Sequence, residues 1–276
     1  METGAHMPVG SNQSQWEDDL NLLLEAAQAA GARAMEYFRN GPEVWWKNEG
    51  RSPVSAADIA ANDILRSTLL SARPGYGWLS EETDDDPTRL SRETLFVVDP
   101  IDGTRAFIAG KDQWCVSAAV VHQGRPVAGV LVAPALGEVF ASRVGGATLR
   151  NGLQVCVSEP DGERPLRMAG AADMVVRLDR RALGTIQPIP HVPSLAYRLA
   201  MVADGRIDGT LVKVNSHDWD LAAADLILAN AGGGLVTLDG AALTYNRADV
   251  RHDVLCAAGN AWLGRLISAS CDLAGH

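Results

Sequence analysis

The sequence predicts a mixed α/β (α+β) fold in two halves, on the strength of three observations. Amphipathic helical segments open the chain, near residues 15–38 and 55–71. Strand-like runs separated mostly by Gly or Pro follow residue 104, the pattern of an antiparallel meander. From about residue 166 apolar strands alternate with helices, which points to an α/β half with some parallel pairing.

Each element has its own signal. Leu20, Leu23, Leu24, Ala27, Ala30, Ala34 and Phe38 recur at helical spacing, and Asn40-Gly41-Pro42 stops that helix. Val44-Trp45-Trp46-Lys47 reads as a short strand leading into a Gly-rich turn. Ser55 is a candidate N-cap for a second helix to about Ser71, with Ile59, Ile64, Leu65 and Leu69 on its buried side. Leu79-Ser80 precedes Glu81-Glu82 and the acidic run Asp84-Asp85-Asp86, and Leu95-Phe96-Val97-Val98 reads as a buried strand. The meander strands fall at 114–122, 125–133, 138–142 and 147–149. In the second half, 209–214 and 234–238 read as strands. There, 194–204 and 219–231 read as helices, ended by Gly205 and by Gly232-Gly233. Residues 1–14 are expected to be a leader, partly cloning-derived, with Met7 a native start. The first half is 15–160 and the second 161–276, and the short linker near 160–165 implies a shared interface.

Composition narrows the class. Of 276 residues, 47% are apolar and 21% charged, as in a soluble globular protein with a substantial core. A net charge of −10 argues against a nucleic-acid polymer as partner, since that requires a basic face. A nucleotide-sized substrate stays open, because a metal supplies local positive charge. Cys115, Cys156, Cys256 and Cys271 lack C-x-x-C spacing, so neither a zinc site nor a disulfide framework is expected, and a reduced, cytoplasmic location is. No apolar run reaches the length of a membrane span, and no signal-peptide pattern is present.

Asp99-Pro100-Ile101-Asp102-Gly103-Thr104 carries the most chemistry. Pro100 cannot continue a ladder, so a turn is expected there that lets Asp99 and Asp102 face one point. Two uncompensated carboxylates held together repel unless a cation sits between them. Backbone N–H groups of Gly103 and Thr104 are free to meet an anion at the start of the next segment. Taken alone, D-G-T is an ordinary turn. A phospho-enzyme of the D-x-D-G-T kind is excluded, because the position two before Asp102 is Pro100. Further acids occur at Glu81, past a strand end, at Asp220, near a helix start, and at Asp58, in the first turns of another helix. Singly, each reads as a solvated or dipole-complementing acid. Jointly they form an all-oxygen set, which selects Mg²⁺ or Mn²⁺ over zinc.

In these motifs the chain resembles the inositol monophosphatase superfamily, the lithium-sensitive phosphatases that include bisphosphate nucleotidases and fructose bisphosphatases. Asp58, Glu81-Glu82, the D-P-I-D-G-T run at 99–104, Trp219-Asp220 and Gly232-Gly233 match that pattern in order and spacing. The resemblance covers the chain from about Gln15 onward and implies a five-layered α-β-α-β-α sandwich with the metal site between the halves. It implies that Glu81, Asp99 and the Ile101 carbonyl hold one Mg²⁺. Asp99, Asp102 and Asp220 would hold a second, and Glu81 with waters a third, weaker one. It further implies Li⁺ inhibition and hydrolysis of a small-molecule phosphate monoester by metal-activated water. Thr104, hydrogen-bonded to Asp58, would orient that water and accept its proton, while the Gly103 and Thr104 N–H groups hold phosphate oxygens. Asp102 and Asp220 would also border the substrate. Relatives are often homodimers, and some bacterial ones act as binding partners in transcription complexes, a non-enzymatic alternative.

In the inositol phosphatases a Glu seven residues before the W-D aspartate binds substrate hydroxyls; here that position is Lys213. A cation there favours a substrate with a second anionic group, such as 3′-phosphoadenosine 5′-phosphate, over inositol 1-phosphate, the runner-up; fructose 1,6-bisphosphate is a third candidate. Lys213 reads equally as a solvated strand end. The segment from Ser194 through Arg198 to Gly205 also looks like the bacterial bisphosphate nucleotidases, with Arg198 a second anion contact. Tyr197 reads either as a stacking partner for adenine or as core.

Overall fold

The computed structural model describes residues 9–47, 52–159, 164–270 and 273. The first helix, α1 (Val9–Tyr37), begins six residues before Gln15, so part of the expected leader is helical. A ribbon of β1 (Val44–Lys47) and β2 (Ser52–Ser55) follows; the Gly-rich turn expected between them lies outside the described residues. The helix α2 (Ala56–Ala72) starts after Ser55 as expected. Its Leu65 and Leu69 are fully buried, whereas Ile59 and Ile64 are only half-buried.

The first-half sheet contains β3 (Gly77–Ser80), β4 (Thr94–Asp102), β5 (Cys115–His122), β6 (Arg125–Ala133), β7 (Glu138–Arg143), β8 (Leu149–Arg150) and β9 (Leu153–Gln154), in that spatial order. Only the β3–β4 pair is parallel; the rest is the expected meander. A one-turn helix, α3 (Thr104–Ile108), leaves β4. The meander strand expected over 147–149 lies at 149–150, and a further short strand, β9, follows it.

The second half contains β10 (Leu166–Ala169), α4 (Ala172–Val175), α5 (Arg180–Leu183), β11 (Ile186–Pro188), α6 (Leu195–Ala203), β12 (Gly209–Val212), β13 (Ser216–His217), α7 (Asp218–Asn230), β14 (Gly233–Thr237), β15 (Arg251–His252), β16 (Leu255–Gly259) and α8 (Asn260–Ala269). Its sheet runs β11-β10-β12-β16-β14, with β10 parallel to both neighbours and the remaining pairs antiparallel. The strand expected over 209–214 stops at Val212, and Asn215 turns the chain at a φ of 66°.

Side-chain alternation stacks these elements into five layers. Phe96, Val98, Val116, Ala118 and Val120 face Leu23, Ala27, Leu65 and Leu69 of α1 and α2. Their neighbours Leu95, Val97, Ala119 and Val121 face the opposite way, into a core shared with α6 and α7. That same core takes Ala169, Val212, Leu235 and Ala257 from the second sheet, whose outer face packs on α4, α5 and α8. The result is the α-β-α-β-α sandwich, and α6 and α7 form the shared middle layer. Contact there is close: a Cβ at Gly129 on β6 would sit 3.0 Å from the Ala223 backbone of α7. Among the described residues no helix is long and apolar enough to cross a membrane.

Candidate metal centre

The two acids of the 99–104 motif share a face because β4 is bulged. Asp99 pairs with Ser117 and Asp102 with Cys115, so three steps on β4 oppose two on β5. Residues three apart on a regular strand point to opposite faces; the extra residue turns Asp102 back to the side of Asp99. The turn expected at Pro100 is therefore a bulge inside a continuing strand. Pro100 sits in the bulged segment, where a missing N–H costs no ladder bond. Ile101 is buried with Phe38, Phe107 and Trp114, which anchors the segment, and its N–H donates to Asp99 Oδ1 at 3.0 Å.

Gly103 ends the strand at a φ of 97°, a conformation that favours glycine. A Cβ there would also lie 3.2 Å from the Gln113 carbonyl and 3.3 Å from Ser194 Cβ. The chain can then enter α3 at Thr104, whose Oγ1 lies 3.1 Å from Asp58 Oδ1 and 3.0 Å from the Ile101 carbonyl. Asp58 is pinned in turn: Ser55 N and Oγ donate to its Oδ2 at 2.8 and 2.6 Å. Burial raises the Asp58 pKa above the usual carboxylate value, and the Ser55 and Thr104 hydrogen bonds oppose that shift.

Asp220 comes from the middle layer. It is the third residue of α7, and its Oδ2 accepts the His217 N–H at 2.7 Å. The His217 ring stacks on Trp219 at 4.5 Å with planes 4° apart. Asp99, Asp102 and Asp220 each offer a carboxylate oxygen within 4.8 Å of the others. One oxygen of each is already held by protein donors. For Asp102 these are Ser194 Oγ and the Ala196 N–H, the latter at 2.6 Å, so the start of α6 fixes a side chain from β4.

Electrostatics show what this arrangement suits. Burial raises Asp99 well above the ordinary carboxylate range, and the charges of Glu81, Asp102, Asp220 and Asp58 raise it further. Burial, then Asp220, pushes Asp102 up to about 7. Buried like charges of this kind fit a hard divalent cation, and the donors are all oxygen. Glu81 stands outside the set of three but lines the same cavity of about 360 Å³, with Asp99, Asp102, Gly103, Thr104 and Asp220. The sequence-derived acids thus converge on one place.

An adjoining cavity of about 400 Å³ shares His191 and Asp220 with the first and is walled by Leu195, Arg198, Leu211, Lys213 and Ser216. Lys213 stands just past β12, largely exposed and 3.5 Å from Asp173. Tyr197 is core: it is 3% exposed and bonds Glu138 and Arg206. Sequence reasoning missed His191 and the hold of Ser194 on Asp102. The only signal for the latter was the N-cap residue itself, since Ser194 Oγ also accepts the Tyr197 N–H at 3.1 Å.

Comparison with known proteins agrees with this geometry. The model of the inositol monophosphatase family matches residues 15–274. An inositol-1-monophosphatase of Mesorhizobium japonicum is 32% identical over 80% of this chain and 86% of its own length. A 3′(2′),5′-bisphosphate nucleotidase CysQ of Aggregatibacter actinomycetemcomitans is 29% identical over 83% of this chain and 88% of its own. The crystal structure of the extragenic suppressor protein suhB from Bartonella henselae superposes with a TM-score of 0.80 at 27% identity, covering 94% of this chain and all of that one.

Proposed function

Because the chain belongs to the inositol monophosphatase family and is a phosphatase acting on phosphate monoesters, we propose that it hydrolyses a small-molecule ester in a Mg²⁺-dependent reaction, with 3′-phosphoadenosine 5′-phosphate its preferred substrate. The observation that carries the chemistry is the convergence of Asp99, Asp102 and Asp220 within 4.8 Å beside the Thr104–Asp58 pair. Glu81, Asp99 and the Ile101 carbonyl would hold one cation, and Asp99, Asp102 and Asp220 another, with Glu81 available to a third. Bound divalent ions would lower the pKa of a water and offset charge on the departing oxygen.

The residues of the chain do the rest. Thr104 Oγ1 orients the attacking water, and its bond to Asp58 gives the released proton a path to that buried carboxylate. First-turn N–H groups of a helix have no intrahelical acceptor, so those of Gly103 and Thr104 receive the non-bridging phosphate oxygens. Water oxygen bonds to phosphorus, the ester P–O bond breaks, and the alkoxide takes up a proton to leave as the alcohol. No side chain is phosphorylated.

Support for the nucleotide comes from the CysQ relative and from cations on the adjoining cavity, where an inositol phosphatase would present a Glu at position 213. The test is phosphate release with Mg²⁺ from 3′-phosphoadenosine 5′-phosphate and inositol 1-phosphate at matched concentration. A higher kcat/KM on the nucleotide is expected, together with inhibition by Li⁺. Preference for inositol 1-phosphate defeats the nucleotidase reading, and full activity in excess Li⁺ defeats the lithium expectation.

A further inference from the structure

Glu81 and Asp220 border one cavity from different halves of the chain, and a buried cation joins the segments that carry them. Glu81 opens the loop after β3, which continues into the acidic run Asp84-Asp85-Asp86. Arg89, in the short 3₁₀ helix Pro87–Ser91, folds back on that run. Its Nε and Nη2 donate to the two Asp85 carboxylate oxygens at 2.6 and 2.8 Å. Nη1 turns to the second half, donating to Asn246 Oδ1 at 2.8 Å and to the Arg247 carbonyl at 3.0 Å. Asn246 Nδ2 returns a bond to the Arg89 carbonyl at 3.2 Å. The Arg89 side chain is 1% exposed, so this fork is spent on protein acceptors and not on water.

From Asn246 the contacts run directly to the start of α7. The Asn246 N–H donates to Asp218 Oδ2 at 2.9 Å, and Asp218 Oδ1 meets His252 Nε2 at 2.7 Å. Asp218 is fully buried, is the first residue of α7 and stands two before Asp220. Its own N–H donates to the Val250 carbonyl at 3.0 Å. Residues 246–252 therefore grip this helix end at three points, and Arg89 ties them to the Glu81 loop.

We propose that Arg89 is a positioning residue for the metal centre. Through Asp85 on one side and Asn246 with Asp218 on the other, it fixes the Glu81 loop against the start of α7, so that Glu81 and Asp220 reach the same cations. A ligand carried on a loop needs such support, because a cation site tolerates little misplacement of its ligands. This inference rests on the metal-dependent phosphatase reading, but the coupling it describes is present before any cation binds.

The test has a metal-free and a metal-loaded arm. With chelator present, amide hydrogen exchange is read over residues 81–86 and 216–222 in wild type, Arg89→Met, Arg89→Lys, Asn246→Gly and Arg167→Met. The last is a control that breaks an ion pair with buried Asp208. Arg89→Met should exchange about 10-fold or more faster in both segments, as for a lost charged hydrogen bond. Asn246 has a φ of 57°, which Gly also adopts, and Asn246→Gly keeps the N–H that reaches Asp218. That variant should nevertheless loosen 81–86, in the other half of the chain. Arg89→Lys keeps the charge without the fork and should fall between Met and wild type. In the second arm, Mg²⁺ affinity by titration calorimetry should drop about 10- to 100-fold in Arg89→Met, with kcat largely recovered at saturating Mg²⁺. Arg167→Met should match wild type in both arms. Faster exchange confined to 81–86 in Arg89→Met, an unchanged 81–86 in Asn246→Gly, or equal affinity losses in Arg89→Met and Arg167→Met would overturn the assignment. If wild type binds neither Mg²⁺ nor Mn²⁺, the metal-dependent reading fails, and the exchange arm still decides whether Arg89 couples the two segments.

Discussion

Asp58 and Asp220 occupy the same position in two different helices: each is the third residue of its helix and accepts the N–H of the residue before it, from Ser55 at 2.8 Å and from His217 at 2.7 Å. A carboxylate so placed complements the helix dipole and satisfies an orphan donor. Each therefore has one oxygen fixed by its own helix and the other turned outward. Asp58 turns its second oxygen to Thr104, while Asp220 is brought to Asp99 and Asp102. One local device thus presents a carboxylate oxygen to two different neighbours, set by what each helix end faces.

In the proposed reaction the Thr104–Asp58 pair handles the proton and the three clustered acids hold the cation. Thr104→Val removes the hydroxyl and leaves the three clustered acids in place, so kcat should fall by about 10²- to 10⁴-fold. Mg²⁺ affinity, read by titration calorimetry, should stay within a few-fold, and Thr104→Ser should restore most of the rate. A variant that loses cation binding in step with kcat would contradict this division.

The clustered acids destabilise the cation-free protein through burial and mutual repulsion. Asp99→Asn removes one charge while its amide oxygen can still accept the Ile101 N–H. The metal-free variant should melt higher than the metal-free wild type. Wild type at a Mg²⁺ concentration of 100 times its Kd should gain about 2.7 kcal/mol, and the variant should lose most of that gain. Differential scanning calorimetry with and without chelator reads both effects, and an undiminished Mg²⁺ shift in Asp99→Asn would exclude Asp99 as a ligand.

Much of this site was legible because its parts are local. Ser55 as N-cap and Asp220 at a helix start follow from short-range patterns, ordered motifs located the acids, and the pairing of Thr104 with Asp58, 46 residues apart, came only with the family resemblance. What was not legible depends on distant strands. The bulge at Pro100 exists only in register with Ser117 and Cys115, and the hold of Ser194 on Asp102 spans 92 residues. The strand β16 passed unnoticed because Leu255-Cys256-Ala257-Ala258-Gly259 has little intrinsic strand preference. It is a strand because it is paired on both sides, by β12 and β14.

Gly103 is constrained twice, by its φ of 97° and by the atoms a side chain would meet. Gly103→Ala should cost about 1–3 kcal/mol from backbone strain alone. Any relief must move Gln113 or Ser194, and Ser194 holds Asp102. Urea unfolding should show the loss of stability, and calorimetry a weaker Mg²⁺ affinity. Unchanged stability would mean that the loop relaxes freely.

Asp225 gives the pH dependence that is independent of the cation. It lies deep in α7, bonded to the Tyr245 hydroxyl at 2.8 Å, and burial pushes its pKa up to about 6 against an ordinary 3.8. Between those values the folded protein binds a proton that the unfolded chain releases. Stability contributed by this group is therefore present below about pH 4 and is lost as pH rises toward 6. The shift of about two units bounds the effect at roughly 3 kcal/mol. Asp225→Asn keeps an acceptor for Tyr245 and does not titrate. With Mg²⁺ saturating, the difference in unfolding free energy between variant and wild type should grow in favour of the variant from pH 4.5 to 6.5. A difference that stays flat across that range would mean that Asp225 remains charged in the folded state and that Tyr245 with nearby Arg125 compensates its burial.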